Sequence, residues 1–181
     1  EILLKNNCRK PNVICFMTDQ LRYDHLGCMG NEEVQTPNID RLAENGVVFE
    51  RAYAVNTVCQ PTRASLFTGQ YPRSHGRRTM GTCLNRNIVT LPEVLSDAGY
   101  RTHSVGKLHL GSWCSPEGMK AEDLNIEDYT EHKLLWESGK IKSLPMPYYG
   151  FESADFIGGH GHGVYGDYKN WLKENYPEYA K

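Results

Sequence analysis

Residues 58–69 place side by side three groups that together could act on an anion. Cys59 is a nucleophile that stands just before a predicted helix started by Pro61, and the N–H groups and dipole of a helix start favour negative charge. Arg63 follows about one turn later, and its guanidinium can hold a tetrahedral oxyanion through two hydrogen bonds. In most proteins a cysteine before a helix is simply a buried residue, so the segment predicts chemistry only together with its surroundings.

Two further pairs of polar residues follow predicted strands. Asp19 and Gln20 come directly after an apolar run, where open α/β sheets place ligands, and their side chains offer hard oxygen donors. Lys107 and His109 follow another predicted strand, and being two residues apart at a strand end they are expected to point the same way. Taken alone, Asp19 is more simply explained as a helix cap or a solvated loop residue, Lys107 as a solvated surface lysine and His109 as an ordinary loop histidine.

Three other histidines are weaker candidates for a binding site. His75, His160 and His162 lie beside glycines, and each could border a substrate pocket. A glycine-flanked His-x-His pair can also bind a metal, but two ligands alone make no zinc site. An ordinary loop is therefore the alternative for His160 and His162.

Strands and helices alternate along the chain, which predicts an α/β layered fold. Short apolar runs rich in strand formers predict the strands, while a capping residue and a closing glycine mark the helices. The caps are expected to be Thr36 and Thr90. The pattern weakens in residues 112–147, which predicts an insertion over one face. The predicted strands cover residues 12–18, 47–49, 100–105 and 151–157, and the predicted helices cover residues 36–45, 61–68, 91–98 and 167–175.

The composition excludes several classes of protein. The chain has 181 residues, of which 39% are hydrophobic and 23% charged, with a formal net charge of −2. Without a basic excess, neither nucleic acid nor a membrane surface is an expected partner. No apolar run is long enough to span a bilayer, and residues 1–7 lack the features of a signal peptide. The cysteines, Cys8 included, have no Cys-x-x-Cys spacing, which predicts mostly free thiols.

The match around Cys59 extends through Ala64, Leu66, Thr68 and Gly69, and in this form it resembles the sulfatase signature. Other parts of the chain are similar to further motifs of that family. These parts are residues 11–12 with 17–20 (a first metal-binding strand), 30 with 36–46 (the next helix), 69–72 with 75–76 (the continuation of the signature) and 106–111 (a lysine–histidine motif). Beyond residue 111 the resemblance thins to residues 149–151 and the last helix.

The resemblance implies a fold as well as a chemistry. It implies an alkaline-phosphatase-like α/β/α sandwich with a mostly parallel central sheet. Sulfatases are much longer than this chain, and the Asp-Asn or Asp-His pair that completes their metal site does not follow here. Residues 1–181 are therefore expected to be the N-terminal part of a catalytic domain, with 112–147 as an insertion and the C-terminal remainder absent. Such a chain alone is expected to be inactive.

In this family the signature cysteine is oxidised to Cα-formylglycine, whose hydrate carries two hydroxyl groups on one carbon. By resemblance, one hydroxyl at Cys59, polarised by a divalent cation, attacks sulfur, and the other then expels sulfate, a route not open to serine. The resemblance assigns oxyanion contacts to Arg63 and Lys107 and proton transfer to His109. These four residues are the expected catalytic set.

The resemblance also implies one divalent cation, held by Asp19, Gln20 and the modified side chain of Cys59. Ca²⁺ is the expected ion, with Mg²⁺ and Mn²⁺ as alternatives, because carboxylate and amide oxygens are hard donors. Many sulfatases have two aspartates where this chain has Asp-Gln. That pair is similar to choline-sulfatase-like and phosphonate-monoester-hydrolase-like branches.

The expected function is hydrolysis of a small-molecule or saccharide sulfate ester, with a formylglycine-generating or equivalent maturation enzyme as a protein partner. Two alternatives stay open: a phosphonate monoester or phosphodiester hydrolase with the same nucleophile, and a non-catalytic relative that binds sulfated ligands. The form of residues 106–109 favours sulfate, and the intact catalytic set argues against a non-catalytic relative. Oligomeric state and compartment, whether cytoplasm, periplasm or outside the cell, stay open.

Overall fold

The computed structural model describes residues 10–179 of the chain. The chain divides into two compact units, Glu1–Ala52 and Tyr53–Lys181. The predictions about a signal peptide in residues 1–7 and about Cys8 lie outside the described residues. Across residues 10–179, no helix is both long enough and apolar enough to cross a membrane. The described cysteines are free thiols, as predicted.

The first unit is built around helix α1, Pro37–Asn45, which confirms the predicted helix. Thr36 stands at its N-cap position, but the Thr36 side chain does not cap the helix, contrary to the prediction. Its hydroxyl instead accepts a hydrogen bond from Gly27 N at 2.8 Å and donates to Asp40 Oδ1 at 2.9 Å. These bonds hold the 3₁₀ turn Gly27–Met29 against the start of α1.

Two strands predicted in the first unit are wrong. Residues 12–18 and 47–49 have no regular secondary structure, and Ile14 and Phe16 are exposed. A strand is stable only when a neighbouring strand takes up its N–H and C=O groups. The described residues of this unit contain no strand that could do so.

The second unit contains six helices among its described residues. The helices are α2 Cys59–Thr68, α3 Pro72–His75, α4 Leu91–Asp97, α5 Ile126–Tyr129, α6 Lys133–Glu137 and α7 Asp167–Asn175. The predicted helices 61–68, 91–98 and 167–175 are confirmed as α2, α4 and α7. Helix α2 begins at Cys59, earlier than predicted, because extended Val58 serves as the N-cap and accepts a hydrogen bond from Thr62 N at 3.2 Å.

A small mixed sheet forms the centre of this unit. Its strands are β1 His103–Gly106, β2 Ser153–Gly158 and β3 Tyr165–Gly166, in the order β1-β2-β3. Strand β1 pairs with β2 in parallel, and β2 pairs with β3 in antiparallel orientation. The predicted strands 100–105 and 151–157 are thus confirmed, with β1 starting three residues later than predicted. The chain leaves β1 at Gly106 and enters the segment that carries Lys107 and His109.

The start of α4 is held by a capping box, which confirms Thr90 as its cap. Thr90 N donates to Glu93 Oε2 at 2.7 Å, and the Thr90 hydroxyl donates to Tyr149 O at 2.8 Å. Gly150, at φ 81°, packs directly on this turn, since an added Cβ would lie 2.2 Å from Glu93 N. Only glycine therefore fits at position 150.

The core of the second unit draws heavily on residues 112–147. The segment supplies the buried side chains Leu124, Leu135, Trp136, Ile141 and Leu144. The ring of Trp136 stacks on that of Phe156 from the central strand, with centroids 5.2 Å apart. The segment is thus part of the folded core, and its being an insertion stays a prediction.

We expect Leu135→Ala to lower the free energy of unfolding by about 2–5 kcal/mol, because Leu135 is fully buried and the truncation leaves a cavity. Leu91→Ala, at the start of α4 where the side chain is 51% exposed, is the matched control and should cost less than about 1 kcal/mol. Urea unfolding of the two variants measures the difference. Equal losses would contradict the assigned core.

Candidate active site

Cys59 occupies the first position of helix α2 and is half-buried. Its Sγ lies 3.4 Å from His109 Nδ1 and 3.9 Å from Met80 Sδ. The next residue, Gln60, is fully buried and fixes this end of the helix. Gln60 Nε2 donates to Gly111 O at 2.7 Å, and Gly81 N donates to Gln60 Oε1 at 2.8 Å. The helix start that carries Cys59 is therefore tied to the loop that carries His109.

His109 is fully buried and has a left-handed backbone, with φ 60°. Its ring stacks on Trp113 at a centroid distance of 3.9 Å and an interplanar angle of 23°. Burial, together with the positive charges of Lys107 and Arg77, lowers the pKa of His109 to about 3. The imidazole is therefore neutral near pH 7. Its Nε2 is buried without a hydrogen-bond partner among the described residues.

Arg63 is buried in α2 and faces the same loop as Cys59. Its Nη1 donates to Lys107 O at 2.5 Å. Cys59 and Arg63, one turn apart, thus face the same loop. Cys59 contacts the His109 side chain, and Arg63 contacts the Lys107 main chain. A guanidinium bound in this way brings a fixed positive charge to the site.

The Lys107 side chain contacts the connection between β2 and β3. Its Nζ lies 3.2 Å from His160 Nε2 and 5.0 Å from the centre of the Trp113 ring. Strand β1 ends at Gly106, so residues 107 and 109 lie beyond the strand and its alternation of side chains does not determine where they point. Lys107 and His109 nevertheless meet at one place, because both contact the Trp113 ring.

The second unit thus brings together five of the predicted residues: Cys59, Arg63, Lys107, His109 and His160. His162 is exposed on the turn Gly161–Gly163, and within residues 53–179 its side chain is not among those that contact this cluster. Sequence analysis did not identify Trp113, which contacts three members of the cluster. Its only signal in the sequence is an aromatic residue four positions after His109.

Asp19 and Gln20, the predicted metal ligands, lie in the first unit and are exposed. Gln20 has φ 47°, a left-handed conformation that is uncommon for a residue other than glycine and is found preferentially at functional sites. Both side chains offer the oxygen donors that Ca²⁺ and Mg²⁺ prefer. Within the described part of either unit, no three His, Cys, Asp or Glu side chains form a cluster that could hold a metal. The metal assignment of Asp19, Gln20 and Cys59 stays a prediction.

His75 is buried and pairs with a serine of α2. Its Nδ1 accepts a hydrogen bond from Arg77 N at 3.2 Å, so the proton is on Nε2, which lies 2.8 Å from Ser65 Oγ. In this tautomer His75 donates to the Ser65 hydroxyl and cannot act on it as a base. The pair therefore joins α2 to α3 and is not a second nucleophile–base pair.

Acid should destabilise the second unit through such buried histidines. Burial lowers the pKa of His75 and of His132 below the value of about 6.5 expected in the unfolded chain. Unfolding then takes up protons, so stability is complete above about pH 6.5 and falls as the pH drops towards the folded-state pKa. We expect urea midpoints to decrease between about pH 7.5 and about pH 5.5, and to decrease less steeply in His75→Gln. Equal slopes for wild type and variant would contradict this assignment.

Comparison with known proteins identifies the family. Residues 11–150 match the sequence profile of the sulfatase family. One relative, the N-acetylglucosamine-6-O-sulfatase of Bacteroides thetaiotaomicron, is 38% identical over 141 residues, which cover 75% of this chain and 25% of that protein. A protein whose structure was solved in complex with its substrate D-glucosamine-2-N,6-O-disulfate is 37% identical, with a TM-score of 0.55 over 61% of this chain and 22% of the solved chain.

A third relative belongs to a neighbouring enzyme class. The structure of the phosphonate monoester hydrolase of Agrobacterium radiobacter is 27% identical, with a TM-score of 0.62 over 90% of this chain and 28% of the solved chain. The chain thus spans less than a third of the length of each of these relatives. The predicted α/β class and alkaline-phosphatase-like fold are confirmed by these likenesses. The chain belongs to the sulfatase family.

Proposed function

We propose that the protein hydrolyses sulfate esters, with the side chain of residue 59 as its nucleophile. The observation that carries this proposal is the distance of 3.4 Å between Cys59 Sγ and His109 Nδ1. A nucleophile at a helix start, a neutral imidazole within reach of it and two cationic side chains nearby suit the attack on an anionic ester.

The proposed nucleophile is the formylglycine formed from Cys59 by a maturation enzyme. When hydrated, this aldehyde supplies one hydroxyl to attack sulfur and a second to release sulfate. The half-buried position of Cys59 suits the modification, since its side chain has a hydrogen-bonding neighbour in His109 while part of it remains accessible. His109 would take up or return a proton at Nδ1, and its burial keeps bulk water away from that step.

Arg63 and Lys107 would offset the charge that develops on the sulfate oxygens. Arg63 is held by Lys107 O, so its charge needs little reorganisation during the reaction. The Lys107 ammonium lies against His160 Nε2 and the Trp113 ring, which fixes its direction. We assign His160 a role in substrate binding because it contacts the Lys107 ammonium. His162 stays a weaker candidate for the same role.

The proposed cation is Ca²⁺, with Mg²⁺ and Mn²⁺ as alternatives. Asp19 and Gln20 would supply oxygen ligands to it. The cation supplies charge that polarises the attacking hydroxyl and the sulfate oxygens. The proposal is supported by the hard oxygen donors and by the left-handed backbone at Gln20.

The proposed substrate is a sulfated saccharide or another small sulfate ester. This class is supported by the relative named N-acetylglucosamine-6-O-sulfatase and by the protein solved with its substrate, a disulfated glucosamine. The second candidate is a phosphonate monoester, which is supported by the likeness to a phosphonate monoester hydrolase over 90% of the chain and by the Asp-Gln pair.

Assays of both ester classes separate these two functions. We expect the full-length protein to cleave aryl and saccharide 6-O-sulfates with a kcat/KM at least about tenfold above that for phenyl phosphonate monoesters, a discrimination of about 1.4 kcal/mol. The matched control is Arg63→Lys, which keeps the charge but loses the planar fork and should lose most activity. Preference for the phosphonate would establish the second candidate, and activity on neither ester would contradict both.

The nucleophile is tested directly by mass spectrometry. In protein purified from its own host, the tryptic peptide 52–63 should carry an aldehyde in place of the Cys59 thiol. Cys59→Ser should release at most one equivalent of alcohol and then retain sulfate on the serine, because serine lacks the second hydroxyl. An intact thiol in fully active protein, or normal turnover by Cys59→Ser, would exclude the proposed nucleophile.

A further inference from the structure

A fully buried carboxylate, Glu131, binds the loop that carries His109. It lies in the connection between α5 and α6, where its own carbonyl accepts a hydrogen bond from Tyr165 OH at 2.6 Å. Both carboxylate oxygens point at donors. Oε1 accepts hydrogen bonds from Leu110 N (2.8 Å), Gly111 N (2.7 Å) and Tyr148 OH (2.8 Å), and Oε2 accepts from His109 N (2.7 Å) and Trp113 Nε1 (3.0 Å).

A buried guanidinium binds the same loop through its carbonyl groups. Arg77 is 1% exposed, and its Nη1 donates to His109 O at 3.1 Å and to Leu110 O at 2.7 Å. Its Nη2 also donates to Thr82 O. Burial lowers the pKa of Arg77, and the charge of Glu131 opposes that change. Each buried charge thus compensates the other, although a stretch of main chain lies between them.

The loop between these two charges is unusually constrained. His109 adopts φ 60°, which costs a residue with a side chain free energy unless its surroundings impose it. At Gly111 an added Cβ would lie 3.2 Å from Glu131 Cγ and 2.9 Å from Tyr148 OH, so the loop approaches the carboxylate as closely as glycine allows. The N–H groups bound by Glu131 and the carbonyls bound by Arg77 therefore determine the direction of the His109 side chain.

We propose that Glu131 is a positioning residue that holds the His109 imidazole at the nucleophile. It acts in two ways, by binding the His109 main chain and by orienting the indole of Trp113, which covers the imidazole ring. The proposal rests on the proposed function, because it concerns the group that transfers a proton there. It assigns no contact between Glu131 and the substrate.

The substitution Glu131→Gln tests this role with little change in shape. An amide has one oxygen and one NH₂ group, so it cannot accept hydrogen bonds at both positions. With its oxygen towards Leu110 and Gly111, its NH₂ group faces the donors of His109 and Trp113. The matched control is Tyr148→Phe, which removes one hydrogen bond to Oε1 and leaves those to Oε2 in place.

We expect Glu131→Gln to lower kcat about tenfold to a hundredfold with KM for a sulfate ester within about twofold of wild type, because misplacement of a catalytic group affects the reaction more than binding. Tyr148→Phe should lower the unfolding midpoint but leave kcat within about twofold. A merely structural Glu131 would give the same ratio of activity loss to stability loss in both variants, and that result would overturn the proposal.

A second measurement does not depend on turnover. In protein labelled at histidine, the ring protons of His109, assigned with His109→Gln, should show an upfield shift from stacking on Trp113. Glu131→Gln should reduce that shift, and unchanged His109 signals would overturn the proposal. If Glu131→Gln does not fold, Glu131→Asp keeps the negative charge but withdraws the carboxylate by one methylene from His109 N and Trp113 Nε1, and it should reduce the same shift. Wild-type protein that is inactive on sulfate esters but shows these shifts would refute the proposed function and leave the positioning role intact.

Discussion

The second unit depends on two buried opposite charges that bind one short stretch of main chain. Glu131 accepts from the N–H groups of residues 109–111, and Arg77 donates to the carbonyls of residues 109 and 110. Removing either charge alone would leave the other buried without its counter-charge, which is far more costly than losing one hydrogen bond. The arrangement makes the loop after β1 a rigid part of the unit.

Helix α2 is aligned on this rigid loop by three contacts along its first turns. The side chains of Cys59, Gln60 and Arg63 reach His109, Gly111 and Lys107 respectively. The first two turns of one helix thus contact three residues of one loop, so a shift of either element would disturb all three contacts together. A site built in this way holds its geometry before any substrate arrives, which is what electrostatic stabilisation of a transition state requires.

Electrostatics and burial then separate the roles of the side chains. Arg63, Lys107 and Arg77 surround a histidine whose own pKa burial has lowered, so the positive charge is on groups that stay charged and the imidazole stays neutral. A neutral proton acceptor beside an array of fixed cations suits a reaction in which the nucleophile loses a proton as it attacks an anionic ester. The aromatic ring of Trp113 separates the histidine from solvent and supports the lysine.

Local sequence patterns determined four of the helices and the family of this protein, and they singled out the candidate catalytic residues. Helices α1, α2, α4 and α7 follow from apolar spacing and from glycines or capping residues at their ends. Cys59 with Arg63, and Lys107 with His109, were singled out because they stand in two short segments that resemble sulfatase motifs. The strands 12–18 and 47–49 could not be judged this way, since a strand depends on a partner that a local pattern does not contain. Only the tertiary structure decided the roles of Glu131, Arg77 and Trp113. Glu131 and Arg77 act on residues 109–111 from other parts of the chain, and the stacking of Trp113 on His109 depends on how the loop folds. The pairing of Lys107 with His160 belongs to the same class: the parallel register of β1 and β2, and the turn after β2, bring two distant residues within 3.2 Å.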